Sequence, residues 1–402
     1  MNVGRPLARL FVGLGLATGC GGAAGPFGPG VVEPRTPLAE EPAFRQPSRT
    51  AISLRLSKRL SPQIGGRYIP VEHAGVAMDP TRERLYVGLD DGSLRALDAD
   101  GHELYRYEVG APIDATPALD RVRNLIYVAA NDGTIHALDA RDGSRKWVEN
   151  IGHAIAQPPI LTATAIYAVA EDDVVTAIAR EDGTVLWNYR RPPSDEITIK
   201  GHAGIVQIGD HLYTAFNDGV VVCLDPSDGS AVWELDTSVD LDPGGAAGVP
   251  RFRDIDTTPV LVGERLYVAS FAAGLYALDP ESGTVLDRDA TQTGIVAIAK
   301  GGENGILTVS ADLGISLFEA GAREPRWTKA IDRGAPGRPA ITSGNLVIYG
   351  ESVGSLIVLE LSTGHEVGRF ESGFGFVAQP SASGNLAAVV SNSGTLFLLD
   401  LH

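Results

Sequence analysis

Apolar residues in this chain come in short alternating runs, and the runs themselves recur. A typical stretch is apolar-Tyr-apolar, then a turn ending in Gly. A second run ending in Leu-Asp follows, then another turn with Gly and often a Trp. RLYVGLDDGSLRALDADG, LIYVAANDGTIHALDARDG, HLYTAFNDGVVVCLDPSDG and RLYVASFAAGLYALDPESG are four copies. Aligned on the Tyr position, the anchors are Tyr86, Tyr127, Tyr167, Tyr213, Tyr267, Leu307, Ile348 and Ala388. Their spacings are 41, 40, 46, 54, 40, 41 and 40. Twelve residues after each anchor stand Asp98, Asp139, Ala179, Asp225, Asp279, Glu319, Glu360 and Asp400. Alternation predicts strands, and the long period predicts a repeat architecture.

A unit of about 40 residues with four short strands fits one blade of a β-propeller. Asp91-Gly92, Asp132-Gly133 and Asp218-Gly219 read as the positive-φ pairs of tight hairpins between the second and third strands. In Asp225-Pro226-Ser227-Asp228-Gly229 the Gly closes a longer turn. Trp147, Trp187 and Trp233 each follow that Gly by four residues, with Tyr105 in the same place in the first unit and Trp327 in the equivalent strand of the sixth. A large aromatic at a fixed repeat position is expected to pack between neighbouring blades. The eighth unit ends at Asp400-Leu401-His402 with three strands. Upstream of the first unit, Ile52, Leu54 and Leu56 alternate with polar residues within Ala51 to Ser57. That segment is expected to supply the missing outer strand and remove a sheet edge. The fold class expected is therefore all-β, one eight-bladed propeller over residues 51–402, closed by an N-terminal strand in the last blade.

The preceding residues differ in character. MNVGRPLARLFVGLGLATGC carries Arg5 and Arg9, then a short apolar stretch from Leu10 to Ala17, then small residues before Cys20. This reads as an export signal over residues 1–19, too short to span a bilayer. Small residues followed by Cys resemble a bacterial lipobox, which implies lipidation of Cys20. Gly21 in the next position resembles the outer-membrane class of lipoproteins. Residues 20–50 are rich in Gly, Pro and Ala and read as a flexible tether, spanning roughly 30 Å on average as a coil.

Composition agrees with this division. Of 402 residues, 48 are Gly and 25 Pro, while 44% are apolar and only 6% aromatic. That is turn-rich but able to bury a core, which excludes disorder, collagen and coiled coil. The net charge of −17 leaves nothing to neutralise phosphates in bulk, so a nucleic-acid partner is not expected.

Two spacings, 46 and 54, depart from the period. The extra residues fall between units three and four and between units four and five. Such connections leave a propeller on one face, so the two long insertions are expected side by side. Long loops on a rigid ring are a usual place for binding. The first, near Arg190 to Lys200, is basic with apolar Ile197 and Ile199. The second, Thr237 to Asp256, is Gly-rich and carries Asp240, Asp242, Asp254 and Asp256.

The repeat resembles the PQQ-type propeller repeat over residues 73–402. Within that group the chain resembles the BamB lipoproteins of the outer-membrane β-barrel assembly machinery. Arg251-Phe252-Arg253-Asp254-Ile255-Asp256-Thr257-Thr258-Pro259 is similar to that family's Arg-x-x-Asp-apolar-Asp-Thr-Thr-Pro. Ile197-Thr198-Ile199-Lys200-Gly201 is similar to its Leu-Ser-Leu-Arg-Gly segment. The resemblance implies a non-catalytic scaffold, lipid-anchored at the periplasmic face of the outer membrane. It implies contact with the POTRA domains of BamA through Ile197, Ile199, Lys200, Arg251, Asp254 and Asp256. Nascent outer-membrane proteins are a further partner class, met through free strand edges. Lys200 stands where the family has Arg, which loses a bidentate fork.

Candidate chemistry changes this picture little. Gly350-Glu351-Ser352-Val353-Gly354 matches a nucleophile elbow in letters, but it falls on a hairpin turn rather than a strand-to-helix turn. The eight histidines show no metal-ligand spacing, and Asp240 with Asp242 lacks a calcium-loop pattern. Cys223, mid-strand, reads as a small buried residue. No catalytic residue, metal or cofactor is expected. The alternatives are a propeller that binds another periplasmic protein, and a PQQ-dependent dehydrogenase; the vicinal Cys pair that many of those enzymes carry is absent.

Overall fold

The computed structural model describes residues 51–61, 72–192, 202–240 and 252–402. These residues form eight four-stranded antiparallel sheets, one per sequence unit. Blades one to seven lie at 76–108, 118–150, 160–190, 206–236, 260–289, 295–329 and 340–370. In each, the four strands stand in chain order from the inside outwards. The eighth takes three strands from 381–401, and its outer strand is Ile52–Arg59. Ile52 pairs with Leu401 and Arg59 with Thr395, with a bulge between Leu54 and Leu56. The closure expected of the N-terminal segment is present, two residues longer than the alternating run suggests.

The core is not one mass but eight apolar seams, one at each blade–blade interface. Tyr86, Leu94 and Ala96 meet Ile126, Val128 and Leu138 between blades one and two. Tyr213, Val221 and Cys223 meet Leu266, Val268 and Tyr276 between blades four and five. Val76, Leu85 and Val87 meet Ala388, Val390 and Leu398 where blade one meets blade eight, so the ring is closed. The second and third strands of the blades are buried on both faces and accordingly read as near-continuous apolar runs. Cys223 is buried and free, as its neighbours in sequence indicate.

The hairpins between second and third strands differ from the expectation in one respect. Gly92, Gly133 and Gly219 have φ of 80°, 83° and 87°, but the aspartates before them do not have positive φ. Gly92 N donates to Leu89 O at 3.1 Å, and Leu89 N to Ser93 O at 3.1 Å. This is a three-residue loop with a single left-handed glycine, not a two-residue turn with a left-handed pair. Asp91 braces the loop through its side chain instead. Its Oδ1 accepts from Ser93 N at 3.0 Å and Ser93 Oγ at 2.6 Å.

Candidate functional site

Antiparallel strand order puts the turns between second and third strands, and every blade-to-blade connector, on one face. The connectors after blades one and two run 109–117 and 151–159; those after blades three and four run 191–205 and 237–259. The two long ones are neighbours, as the spacings predict. Their middles, including Ile197, Ile199, Lys200 and Arg251, lie outside the described residues, and so does Cys20. What is described is how both connectors are rooted.

At its start the first connector is held by charge. Arg190 Nη2 is 2.9 Å from His153 Nε2, and Arg191 bridges Asp218 at 2.7 Å and Glu234 at 2.8 Å. The second starts with Thr237, whose Oγ1 donates to Gly219 O at 2.8 Å. Asp240 accepts from Tyr276 OH at 2.8 Å and sits 3.5 Å from Arg288 Nη1, which binds this part of the connector to blade five.

The returning limb of the second connector departs from expectation. The sequence reading makes Asp254 and Asp256 contact residues of a long surface loop. Ile255 is 0% exposed, but so is Asp254, and Asp256 is only 7% exposed. The limb runs inward to the start of an inner strand instead of along the surface. Phe271 N donates to Asp254 O at 3.1 Å, and Ile255 N to Phe216 O at 3.4 Å. Thr257 is laced to Ala269 by two bonds of 2.9 and 3.0 Å, and Thr258 Oγ1 accepts from Gly204 N at 2.9 Å. The last bond joins the returning limbs of the two connectors.

Around this junction polar groups converge from four blades or their connectors. The Arg338 guanidinium, at the entrance of blade seven, donates to Gln157 Oε1 at 2.6 Å, His202 O at 3.0 Å and Asp256 O at 3.3 Å. His202 Nδ1 is 3.1 Å from Asn217 Nδ2 and 4.0 Å from Asp173 Oδ1. Asp256 Oδ1 has no hydrogen-bond partner among the described residues. Burial and the neighbouring Asp254 push the Asp256 carboxyl up to about 7, opposed by Arg338. Burial pushes Asp173 up to about 6 and holds His202 down to about 4. A low-dielectric environment disfavours each charged form.

Sequence reasoning did not find Asp173, His202, Asn217, Gln157 or Arg338. Two signals for them exist. Asp173 occupies the slot that is Gly in Asp-Gly turns, with φ of 62°, a conformation that costs a non-glycine roughly 1–2 kcal/mol. Arg338 precedes Pro339 where units two and five have Thr116-Pro117 and Thr258-Pro259.

Elsewhere, Asp98, Asp100 and His102 bring ligand atoms within 4.8 Å of one another. Asp98 Oδ1 there caps the turn by accepting from Asp100 N at 3.0 Å and His102 N at 2.8 Å, which accounts for the cluster. Ser352 lies on the hairpin turn between strands Leu346–Gly350 and Leu356–Glu360, as expected.

The profile of the family described as outer membrane protein assembly factor BamB matches residues 57–154 and 90–309. A BamB from Burkholderia pseudomallei is 26% identical over 345 residues, spanning 83% of this chain and 84% of that relative. Among solved structures, BamB from Moraxella catarrhalis superposes with a TM-score of 0.72 at 18% identity, covering 87% of this chain and 100% of that one. A quinohemoprotein alcohol dehydrogenase from Comamonas testosteroni reaches 0.63 at 15% identity, covering 87% of this chain and 76% of that one. The two structural likenesses speak to the fold.

Proposed function

The chain belongs to the family of outer membrane protein assembly factor BamB, and on that premise we propose that it is a non-catalytic scaffold of the outer-membrane protein assembly machinery. The observation that carries this reading is the pair of adjacent long connectors on one face, rooted in a buried polar junction. A rigid ring presents those connectors to the periplasmic POTRA domains of BamA. Ile197, Ile199, Lys200 and Arg251 supply the contact. Asp254 and Asp256 act by holding the base of the second connector, because a buried carboxylate touches its own fold before it can touch a partner. Lipidated Cys20 and the tether keep the ring at the periplasmic face of the outer membrane. Exposed outer-strand edges offer pairing to nascent barrel proteins.

The test is co-purification from detergent-solubilised outer membrane. The wild-type chain is expected to bring down BamA, and a Cys20→Ser chain to appear in the soluble periplasmic fraction or uncleaved. A wild-type chain that purifies without BamA, or with an unmodified mature N-terminus, contradicts the reading.

A further inference from the structure

Each blade ends in an outer strand whose far side has no strand beside it. Such edges are templates for pairing, and charged side chains are a usual guard against it. The outer strands Glu103–Glu108, Arg145–Asn150, Ala231–Asp236, Val285–Asp289, Glu366–Phe370 and Ile52–Arg59 each carry two or three charged residues. That of blade six is only Trp327–Lys329. Blade three differs. Its outer strand, Val185–Arg190, runs Val-Leu-Trp-Asn-Tyr before its single charge. That charge is engaged by a connector, since Arg190 Nη2 is 2.9 Å from His153 Nε2.

The same strand is held on one side and open on the other. Trp187 Nε1 donates to Pro226 O at 3.0 Å, and Tyr189 stacks on Phe216 while its OH donates to Glu234 at 2.7 Å. These contacts fix the strand against blade four. Leu186 is 52% exposed, and Asn188 and Arg190 are exposed with it. Arg191 N donates to Asp173 O at 3.3 Å, in register with the pairing of Arg190 and Val174. Antiparallel alternation then turns the backbone N–H and C=O of Trp187 and Tyr189 inward, and those of Asn188 and Arg190 outward. The edge thus offers extended backbone between two rows of side chains. One row is Val185, Trp187 and Tyr189, and the other is Leu186, Asn188 and Arg190.

We propose that the outer edge of blade three is where an extended strand of an unfolded outer-membrane β-barrel protein pairs. This rests on the reading that outer edges receive nascent barrel chains, and assigns that role to one edge of the eight. What an edge recognises is extended backbone, with side chains read in alternation. An incoming strand extends both rows, so it fits when apolar residues continue the Trp187 and Tyr189 row and polar ones continue the solvent row. Strands of outer-membrane barrels alternate in this way. The connector 191–205 follows Arg190 directly, so a chain paired here lies beside the surface proposed to hold BamA.

Photo-cross-linking in growing cells tests this, with benzoyl-phenylalanine placed at Leu186, or at Leu104 or Val232 in the outer strands of blades one and four. Newly made outer-membrane proteins are expected to cross-link from Leu186 and far less from the other two positions. With the purified mature chain, a labelled peptide of about ten residues that alternates valine or tyrosine with threonine is expected to bind, as read by fluorescence anisotropy. Asn188→Lys puts a charge on the edge, and Asn188→Pro removes an outward N–H while leaving the inward ladder intact. Each is expected to weaken peptide binding at least about tenfold, with little change in Tm and with binding of POTRA domains kept. Peptide binding unchanged in both variants, or equal cross-linking from the three positions, overturns this assignment and leaves the general edge reading standing. A peptide that fails to bind the wild type overturns both. Cross-links from Leu186 to a second copy of the chain alone make the edge a self-association site and overturn the proposal.

Discussion

Arg338 Nη1 donates to Gln157 Oε1 at 2.6 Å although 181 residues separate them. Blades seven and three stand opposite one another in a ring of eight, so this contact crosses the axis. The same guanidinium reaches the carbonyls of His202 and Asp256, where both long connectors re-enter the ring. One side chain thus ties the candidate binding face to the far side of the propeller.

Arg338→Met should remove three hydrogen bonds and the cation nearest the Asp256 carboxyl. Breaking a buried charged network typically costs on the order of 3 kcal/mol, and chemical denaturation should show a loss of that size. An Arg338→Met chain as stable as the wild type would mean that the axial contact contributes nothing.

Asp256 sets a pH dependence whose sign follows from its raised pKa. Its folded value of about 7 lies above the ordinary 3.8, so the folded state holds a proton that the unfolded state has released. Stability is highest below the unfolded value and falls as pH rises from about 4 to about 7. Asp173, raised to about 6, acts in the same direction. Melting curves between pH 4 and 8 should show the wild type losing ground to Asp256→Asn as pH rises. In Arg338→Met the same loss should extend to higher pH, since Arg338 lowers the Asp256 value. A wild-type and Asp256→Asn pair that run parallel across the range would contradict this.

Deleting residues 51–59 removes the outer strand of blade eight. The edge of Thr395–Leu401 is then unpaired, and Phe397, Leu399 and Leu401 lose the cover of Ile52 and Leu54. Lower Tm and self-association in gel filtration are expected, since an exposed apolar edge is a template for pairing. A monomer with an unchanged melt would show that the ring holds without its closing strand.

The repeat, the blade count and the closure were legible because each is written in local periodicity. Tyr86 and its counterparts mark a middle strand, and Ile52, Leu54 and Leu56 alternate as a half-buried strand must. The neighbouring position of the two long connectors followed from spacing alone. The burial of Asp254 and Asp256 did not, because it depends on Phe216 of blade four, Phe271 in the hairpin of blade five and Arg338 at the entrance of blade seven. Charge suggested solvent; a limb that dives to the inner strand decided otherwise. Arg338 was illegible for the same reason, since only ring geometry brings it to Gln157.

The central claim is that the connector face, and not another surface, holds BamA. The most direct test is binding of purified BamA POTRA domains to two versions of the chain, one with Ile197→Asp and Ile199→Asp, the other with Asp100→Lys in the turn between the third and fourth strands of blade one. Loss of an apolar anchor pair should weaken binding at least about tenfold, roughly 1.4 kcal/mol, with melting unchanged, while Asp100→Lys on the opposite face should bind like the wild type. A connector variant that binds POTRA domains as tightly as the wild type would contradict the account.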